Sequence, residues 1–150
     1  MVYFLSPLII ILADIYSKKI VCSNLNVEEK KEIIKNKLYF WHRKNYGFPF
    51  SICSDNPKFV KILTTIVFVF TVLSYLILIP IKGMKMIKLF YAVAIGGAAS
   101  NLFDRIKNGC VTDFIFVKIK NAPIFNLADI AIFVGAVSAV LFTFTSCKKN

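Results

Sequence analysis

Four long apolar runs constrain this fold more than any other feature of the chain. They cover residues 2–21, 59–81, 86–104 and 124–145, close to the lengths that a helix needs to cross about 30 Å of hydrocarbon. The chain is 57% hydrophobic and only 18% charged, whereas soluble domains are nearer half apolar and about a quarter charged. The sequence therefore predicts an all-α polytopic membrane protein with four transmembrane helices.

The connections between these runs predict a single membrane-embedded domain over residues 1–150. Residues 82–85 form a minimal basic turn, whereas 22–58 and 105–123 fall together on the other side of a four-span bundle. Within the longer segment, LYFWHRKNYGFPFSI alternates aromatic with polar residues around a centre punctuated by glycine and proline. This pattern is typical of short strands in an interfacial aromatic belt. We therefore expect a small extramembrane β-element there.

The first apolar run has two interpretations. A cleaved signal peptide has a basic first region and a small-x-small cleavage site, and MVYFLSPLIIILADIYSKK shows neither. The run is nearly free of charge as far as Ala13, and it is long enough to span only if it continues through Asp14 towards Val21. We take it as a retained helix.

The net charge of +11 also has two interpretations. Basic, lysine-rich chains often bind nucleic acid. Many of these lysines, however, flank the apolar runs, where their ammonium groups meet lipid phosphates. Membrane lipids, and no nucleic acid, are the expected partners. Fourteen Lys and Arg lie in residues 18–61 and 105–120 against five elsewhere, so the positive-inside rule would place those two segments in the cytoplasm. Charge alone leaves the orientation open.

Neither a metal site nor a nucleophilic serine or cysteine is indicated. Zinc needs clustered thiolate or imidazole ligands, and the cysteines have no CxxC spacing; they are Cys22, Cys53, Cys110 and Cys147. His42 is the only histidine and stands in an aromatic and basic loop. We expect it at the membrane interface, without a serine or cysteine beside it. No metal or cofactor is predicted, and spacing does not decide whether the cysteines pair.

Four of the eight acidic residues lie at the ends of apolar runs: Asp14, Asp104, Asp113 and Asp129. In a four-span bundle all four fall on the same side. A carboxylate in hydrocarbon is costly unless something compensates it, so an intramembrane aspartate suggests a functional site. Asp129 is expected inside the fourth helix. Asp113, sixteen positions earlier, stands in a β-branched and aromatic stretch typical of a strand or membrane-edge segment.

Three of these acids have polar companions three or four residues away, which places them on one face of a helix. The groups are Asp14 with Lys18, Asn101 with Asp104 and Arg105, and Asn126 with Asp129. Neutralisation of charge at helix ends is one explanation. For Asn126 and Asp129, inside an apolar run with no basic residue nearby in sequence, a functional site is the better one.

Asp113 and Asp129 would form an acid–base pair if folding brought them together. Two carboxyl groups a few Å apart cannot both ionise easily, so they share one proton. The ionised member can deprotonate water while the protonated member polarises a scissile carbonyl, as in aspartic proteases. The sequence offers no better nucleophile.

Five motifs resemble those of a known family. They are ADIYSKK (13–19), KNYGFPFS (44–51), GGAASNLFDR (96–105), VTDFI (111–115) and PIFNLADIAI (123–132). In this order and at these spacings, the chain is similar throughout to the bacterial lipoprotein signal peptidases (signal peptidase II), which are intramembrane aspartic endopeptidases. The resemblance implies four helices, cytoplasmic termini, and an active site near the extracytoplasmic face of the cytoplasmic (inner) membrane. That orientation is opposite to the one from the charge count.

The resemblance also implies the roles of individual residues. Asp113 and Asp129 match the catalytic dyad. The residues that match supporting and substrate-binding positions are Asp14, Lys18, Asn45, Gly47, Asn101, Asp104, Arg105, Asn126 and Ala128. The implied substrate is a diacylglyceryl-modified prolipoprotein, cut on the amino side of its lipid-bearing cysteine, and the implied inhibitors are of the globomycin type. Ser100 departs from the pattern, because glycine is common before Asn101.

Two other functions fit part of the pattern. A small transporter or proton-coupled channel would use Asp104 and Asp129 as an ion relay, but a relay needs polar groups at several depths, and these gather at one face. A non-catalytic membrane scaffold would use the small residues of the third and fourth runs to pack helices. Aspartate-to-asparagine changes would then matter little.

Overall fold

The structure is a computed structural model that describes residues 2–147. Met1 and residues 148–150, which include two of the lysines counted for orientation, lie outside the described residues. The helices are α1 (Val2–Asn24), α2 (Pro57–Leu78), α3 (Lys85–Asn108) and α4 (Leu127–Cys147). The strands are β1 (Lys30–Ile34), β2 (Leu38–Asn45), β3 (Val111–Val117) and β4 (Ile124–Phe125), and a 3-10 turn covers Pro49–Ser51.

Three of the described helices are long and apolar enough to cross a membrane: α2, α3 and the Leu127–Thr145 part of α4. The sequence predicts four such helices. α1 has the length, but Asp14, Lys18 and Lys19 all lie in its second half, so that every 18-residue stretch within it contains all three charges. The chain is therefore mostly helical and membrane-protein-like, with a small sheet.

Helix α3 is the centre of the bundle, since it packs against α1, α2 and α4. Glycine allows these close approaches. A Cβ atom on Gly96 would lie 2.8 Å from Cα of Pro7 in α1, and one on Gly135 would lie 2.6 Å from the carbonyl oxygen of Phe90 in α3. Small residues bring helix backbones together in this way in membranes.

We expect Gly96→Val to separate α1 from α3, because the new side chain would meet Pro7 backbone that cannot move aside cheaply. Overpacking of this kind costs about 1–3 kcal/mol. The thermal unfolding midpoint in detergent should fall. Ser74→Val, which adds bulk at an exposed position of α2, should leave it nearly unchanged. Equal midpoints for the two variants would contradict the close α1–α3 contact.

The four strands form one antiparallel sheet in the order β1-β2-β3-β4. Its inner face packs against the end of α1, where Phe114 joins Val21 and Leu25 in a buried cluster. The expected β-element is present in β2, but β1 lies before the stretch in which the sequence analysis expects strands. All of β1 is exposed, and its sequence KKEII shows no alternation of apolar and polar residues that would predict a strand. Its Lys30 ammonium lies over the rings of Tyr39 and Phe116, 4.1 and 4.4 Å from their centroids.

The fourth helix begins at Leu127 and not at Ile124 as the sequence predicts. Ile124 and Phe125 are extended and pair with β3 in the register Ile115↔Phe125. Asn126 then caps the helix: its Oδ1 accepts from the Asp129 N–H at 2.9 Å, and Asp129 Oδ2 accepts from the Asn126 N–H at 3.1 Å. This reciprocal pair is a capping box. Asn126 therefore lies just before the helix and not within it, but it is the polar companion of Asp129 that the spacing predicts.

Candidate active site

Asp113 and Asp129 both contact Asn126, although one lies in a strand and the other in a helix. Asp113 lies in β3, and Asp129 lies in the first turn of α4. Asn126 binds both of them: its side-chain Nδ2 donates to Asp113 Oδ1 at 2.7 Å, and its backbone N–H donates to Asp129 Oδ2. The loop between β3 and α4 thus brings the two carboxylates to one residue, Asn126, whose side chain binds one and whose backbone N–H binds the other.

The remaining oxygen of each carboxylate also has an amide donor. Asn45, at the end of β2, donates from Nδ2 to Asp113 Oδ2 at 2.9 Å. Asn101 of α3 donates from Nδ2 to Asp129 Oδ1 at 2.7 Å. All four donors are uncharged amides, so they orient the two carboxylates without placing a cation directly against either.

The environment of Asp113 favours its protonated form. The side chain is buried on β3, and burial raises the pKa of its carboxyl to about 7, with the charge of Asp129 adding to the effect. The hydrogen bonds from Asn45 and Asn126 act in the opposite direction, because they stabilise the carboxylate. Near neutral pH this carboxyl can therefore hold a proton beside a second carboxyl.

A buried lysine orients Asn101, the side chain that donates to Asp129. Lys18 of α1 is 5% exposed, and its Nζ donates to Asn101 Oδ1 at 3.0 Å. Because this oxygen faces the ammonium group, the Nδ2 of Asn101 faces Asp129. The same Nζ forms ion pairs with Asp14 Oδ2 at 2.6 Å and Asp104 Oδ2 at 2.7 Å. Two carboxylates thus surround one buried cation.

Asp14 of α1 accepts hydrogen bonds from both α3 and α4. Its Oδ1 accepts from the backbone N–H of Ala128 at 2.9 Å, and its Oδ2 accepts from Ser100 Oγ at 2.6 Å. Ser100 is fully buried, and sequence reasoning noted it only as a departure from the family pattern. Its position four residues before Asp104, on the polar face of an otherwise small and apolar stretch, is the signal that could have identified it.

The loop after β2 is fixed to α3 by an arginine. Arg105 Nη2 donates to the Gly47 carbonyl oxygen at 2.9 Å, and the Gly47 N–H donates to Asn45 Oδ1 at 2.9 Å. A Cβ atom on Gly47 would collide with the carbonyl oxygen of Ile52. The second bond leaves Nδ2 of Asn45 directed at Asp113, so the loop conformation decides the orientation of this amide.

The structure brings all of the sequence-predicted site residues into one cluster: Asp14, Lys18, Asn45, Gly47, Asn101, Asp104, Arg105, Asp113, Asn126, Ala128 and Asp129. Ala128 contributes only its backbone N–H. A cavity of about 330 Å³ opens beside this cluster, lined by Asp113 and Asn45 together with Trp41, Phe50 and Phe116. Carboxyl and amide groups therefore meet aromatic side chains at one surface.

One expectation about His42 is wrong. The residue lies in β2 and is 4% exposed. Its Nε2 lies 3.6 Å from Cys22 Sγ, whereas the sequence analysis expects no cysteine beside it. The sequence did not predict this contact because the two residues are twenty positions apart, and only the docking of β2 against the end of α1 brings them together.

The signal peptidase II family model matches residues 7–145, which include every residue of the cluster. The chain belongs to the signal peptidase II family. Two relatives are described as lipoprotein signal peptidases. The one from Listeria monocytogenes serotype 4a is 33% identical, over 100% of this chain and 97% of its own length. The one from Shewanella loihica is 35% identical, over 94% of this chain and 85% of its own length. The family makes this chain a peptidase.

Solved structures of bacterial membrane enzymes share the fold. One superposes with a TM-score of 0.86 at 21% identity, covering 99% of this chain and 90% of the other. A second has a TM-score of 0.79 at 22% identity, covering 94% and 91%. Together with the apolar helices, they make this chain a multi-pass membrane protein.

Proposed function

We propose that this protein is an intramembrane aspartic endopeptidase. It removes the signal peptide from diacylglyceryl-modified prolipoproteins and cuts on the amino side of the lipid-modified cysteine. The observation that carries the proposal is the arrangement of Asp113 and Asp129 around Asn126, with an amide donor on each carboxylate oxygen. Membership of a peptidase family supports the reaction class, and the relatives described as lipoprotein signal peptidases support the substrate class.

In the proposed mechanism the two carboxyls have different roles. Asp113, whose pKa is raised to about 7, holds the proton and donates a hydrogen bond to the scissile carbonyl oxygen. Asp129, which accepts from Asn101 and Asn126, is ionised and takes a proton from the attacking water. The tetrahedral intermediate collapses as Asp129 passes the proton that it took from water to the leaving amide nitrogen. No nucleophilic side chain is needed, since water is activated directly.

The surrounding residues position this pair. On the helix side, the carboxylate of Asp129 is positioned through the contacts given above by Lys18, Asn101, Asp14 and Asp104. Asn45, Gly47 and Arg105 hold Asp113 from the sheet side, and Asn126 joins the two halves. We assign the substrate to the adjacent cavity, because Asp113 lies in its wall beside the aromatic side chains of Trp41 and Phe116.

We further propose four transmembrane helices in a single domain over residues 1–150, with α1 as the fourth span. The charges of Asp14 and Lys18 are paired with each other and with Asp104 of α3, which lowers the cost of placing α1 in the bilayer. The proposed location is the bacterial cytoplasmic (inner) membrane, with both termini cytoplasmic and the sheet and active site at the extracytoplasmic face. Membrane lipids and globomycin-type inhibitors are the other proposed partners.

The proposal is tested by mixing the purified enzyme with one precursor in two forms, with and without the diacylglyceryl group. We expect cleavage of the lipidated form only, and a product whose N-terminal residue is the modified cysteine. Mass spectrometry of the product gives the position of the cut. Cleavage at another bond, or equal cleavage of both forms, would overturn the assigned substrate.

The rate of cleavage should depend on pH in a bell-shaped manner. The pKa of Asp113 is raised to about 7 by burial and by Asp129, so raising the pH above this value removes the proton that polarises the substrate. The rate should then fall by about tenfold per pH unit, the limiting slope for the loss of one proton. At low pH it should fall again because both carboxyls are protonated. Initial rates on a lipidated precursor measure this, and a rate that stays constant into alkaline pH would contradict the shared proton.

A further inference from the structure

Cys22 and His42 form a pair outside the catalytic cluster. Cys22 lies in the last turns of α1, and its Sγ is 3.6 Å from Nε2 of His42 in β2. The other ring nitrogen of His42, Nδ1, is 2.9 Å from the carbonyl oxygen of Leu25. A nucleophile, a base, and a group that orients the base are therefore adjacent, an arrangement that activates thiols in enzymes.

The Leu25 carbonyl decides the tautomer of the imidazole. A carbonyl oxygen only accepts, so Nδ1 of the neutral ring must carry the hydrogen. Nε2 then has a free lone pair, and the thiol is the group that faces it. Nε2 can therefore take the proton from Cys22 and leave a thiolate, which is the reactive form of cysteine.

Exposure separates the roles of the two residues. His42 is 4% exposed, so the base is shielded from solvent, whereas Cys22, near the end of α1, is exposed. The other two cysteines whose side chains the structure describes differ from Cys22. Cys53 is exposed but has no histidine, since His42 is the only one in the chain, and Cys110 is buried. Burial raises the pKa of the Cys110 thiol.

We propose that Cys22 is a site of covalent modification by small disulfides. His42 Nε2 takes the thiol proton, and the Cys22 thiolate attacks one sulfur of a disulfide RSSR. The S–S bond of the reagent breaks, a Cys22–S–S–R mixed disulfide forms, and the leaving RS⁻ recovers the proton from the imidazolium as RSH. The exchange consumes one thiol and one disulfide and yields one of each, so no further oxidant is required.

The test compares cysteines within one protein. The full chain, purified in detergent, is incubated with glutathione disulfide, and mass spectrometry of its peptides follows modification of each cysteine over time. General-base assistance is commonly worth about 10²–10⁴-fold, so Cys22 should react at least about tenfold faster than Cys53. Equal rates at Cys22 and Cys53 in the unaltered protein would overturn the proposal.

His42→Asn is the matched variant, because its amide can still donate to the Leu25 carbonyl while the Nε2 base is removed. The rate at Cys22 should fall to about that at Cys53, whose own rate stays unchanged. Buried Cys110 reports on folding, since its modification would rise if the variant unfolded. An unchanged Cys22 rate in a variant that still protects Cys110 would also refute the role of His42.

Discussion

Asp113→Asn and Asp129→Asn should each reduce cleavage of a lipidated precursor by at least about a thousandfold, within the range measured when a catalytic acid or base is removed. An asparagine at either position keeps the size of the side chain but neither takes a proton from water nor shares one with its neighbour. Each variant should remain folded, since a neutral amide is easier to bury beside a carboxyl than a second charge. Initial rates in detergent, together with the unfolding midpoint, measure the two effects.

Asp55→Asn is the control for these variants. Asp55 is an exposed aspartate in the loop before α2, on the same connection as Asn45 but without a contact to the cluster. Its replacement should leave the rate within about twofold, as is usual for surface changes. Full activity of a folded Asp113→Asn or Asp129→Asn variant would exclude the dyad as the catalytic pair. Little effect of these changes is what the non-catalytic scaffold predicts.

Lys18→Met should cause the largest loss of stability. It removes the cation between Asp14 and Asp104, and both carboxylates are almost completely buried. Breaking a buried ion pair on one side costs about 3–5 kcal/mol, because the remaining charges are left without compensation. Activity should also fall steeply, since Asn101 loses the contact that turns its amide towards Asp129. Thermal unfolding in detergent and the cleavage rate are the two measurements.

Lys19→Met is the matched control, an adjacent lysine on the same helix that is exposed. It should change the unfolding midpoint little. Adding Asp14→Asn to Lys18→Met should restore part of the lost stability, because one uncompensated charge is then removed, and the non-additive difference gives the coupling between the two residues. If Lys18→Met and Lys19→Met were equally stable, the buried ion cluster would not support the fold.

Several elements could be predicted because they depend on local sequence. Residues 59–81 are apolar apart from Lys61 near their start and a few hydroxyl side chains, so helix α2 follows from the run itself, and it is observed as Pro57–Leu78. The Asp113 stretch, rich in β-branched and aromatic residues, is observed as the strand Val111–Val117. β1 was missed because an exposed edge strand needs no hydrophobic alternation. The start of α4 was misplaced because Ile124 and Phe125 are apolar in either a helix or a strand, and only pairing with β3 selects the strand.

The sequence by itself determined which residues are too costly to bury alone, and so which ones had to find partners. The aspartates at the ends of apolar runs are of this kind, because charge in hydrocarbon must be compensated whatever the fold. Only the tertiary structure decided which partners they found: Lys18 lies between Asp14 and Asp104, Asn126 joins Asp113 to Asp129, and His42 lies beside Cys22. These contacts join residues on different helices and strands. Their geometry follows from how those elements pack, which no local pattern contains.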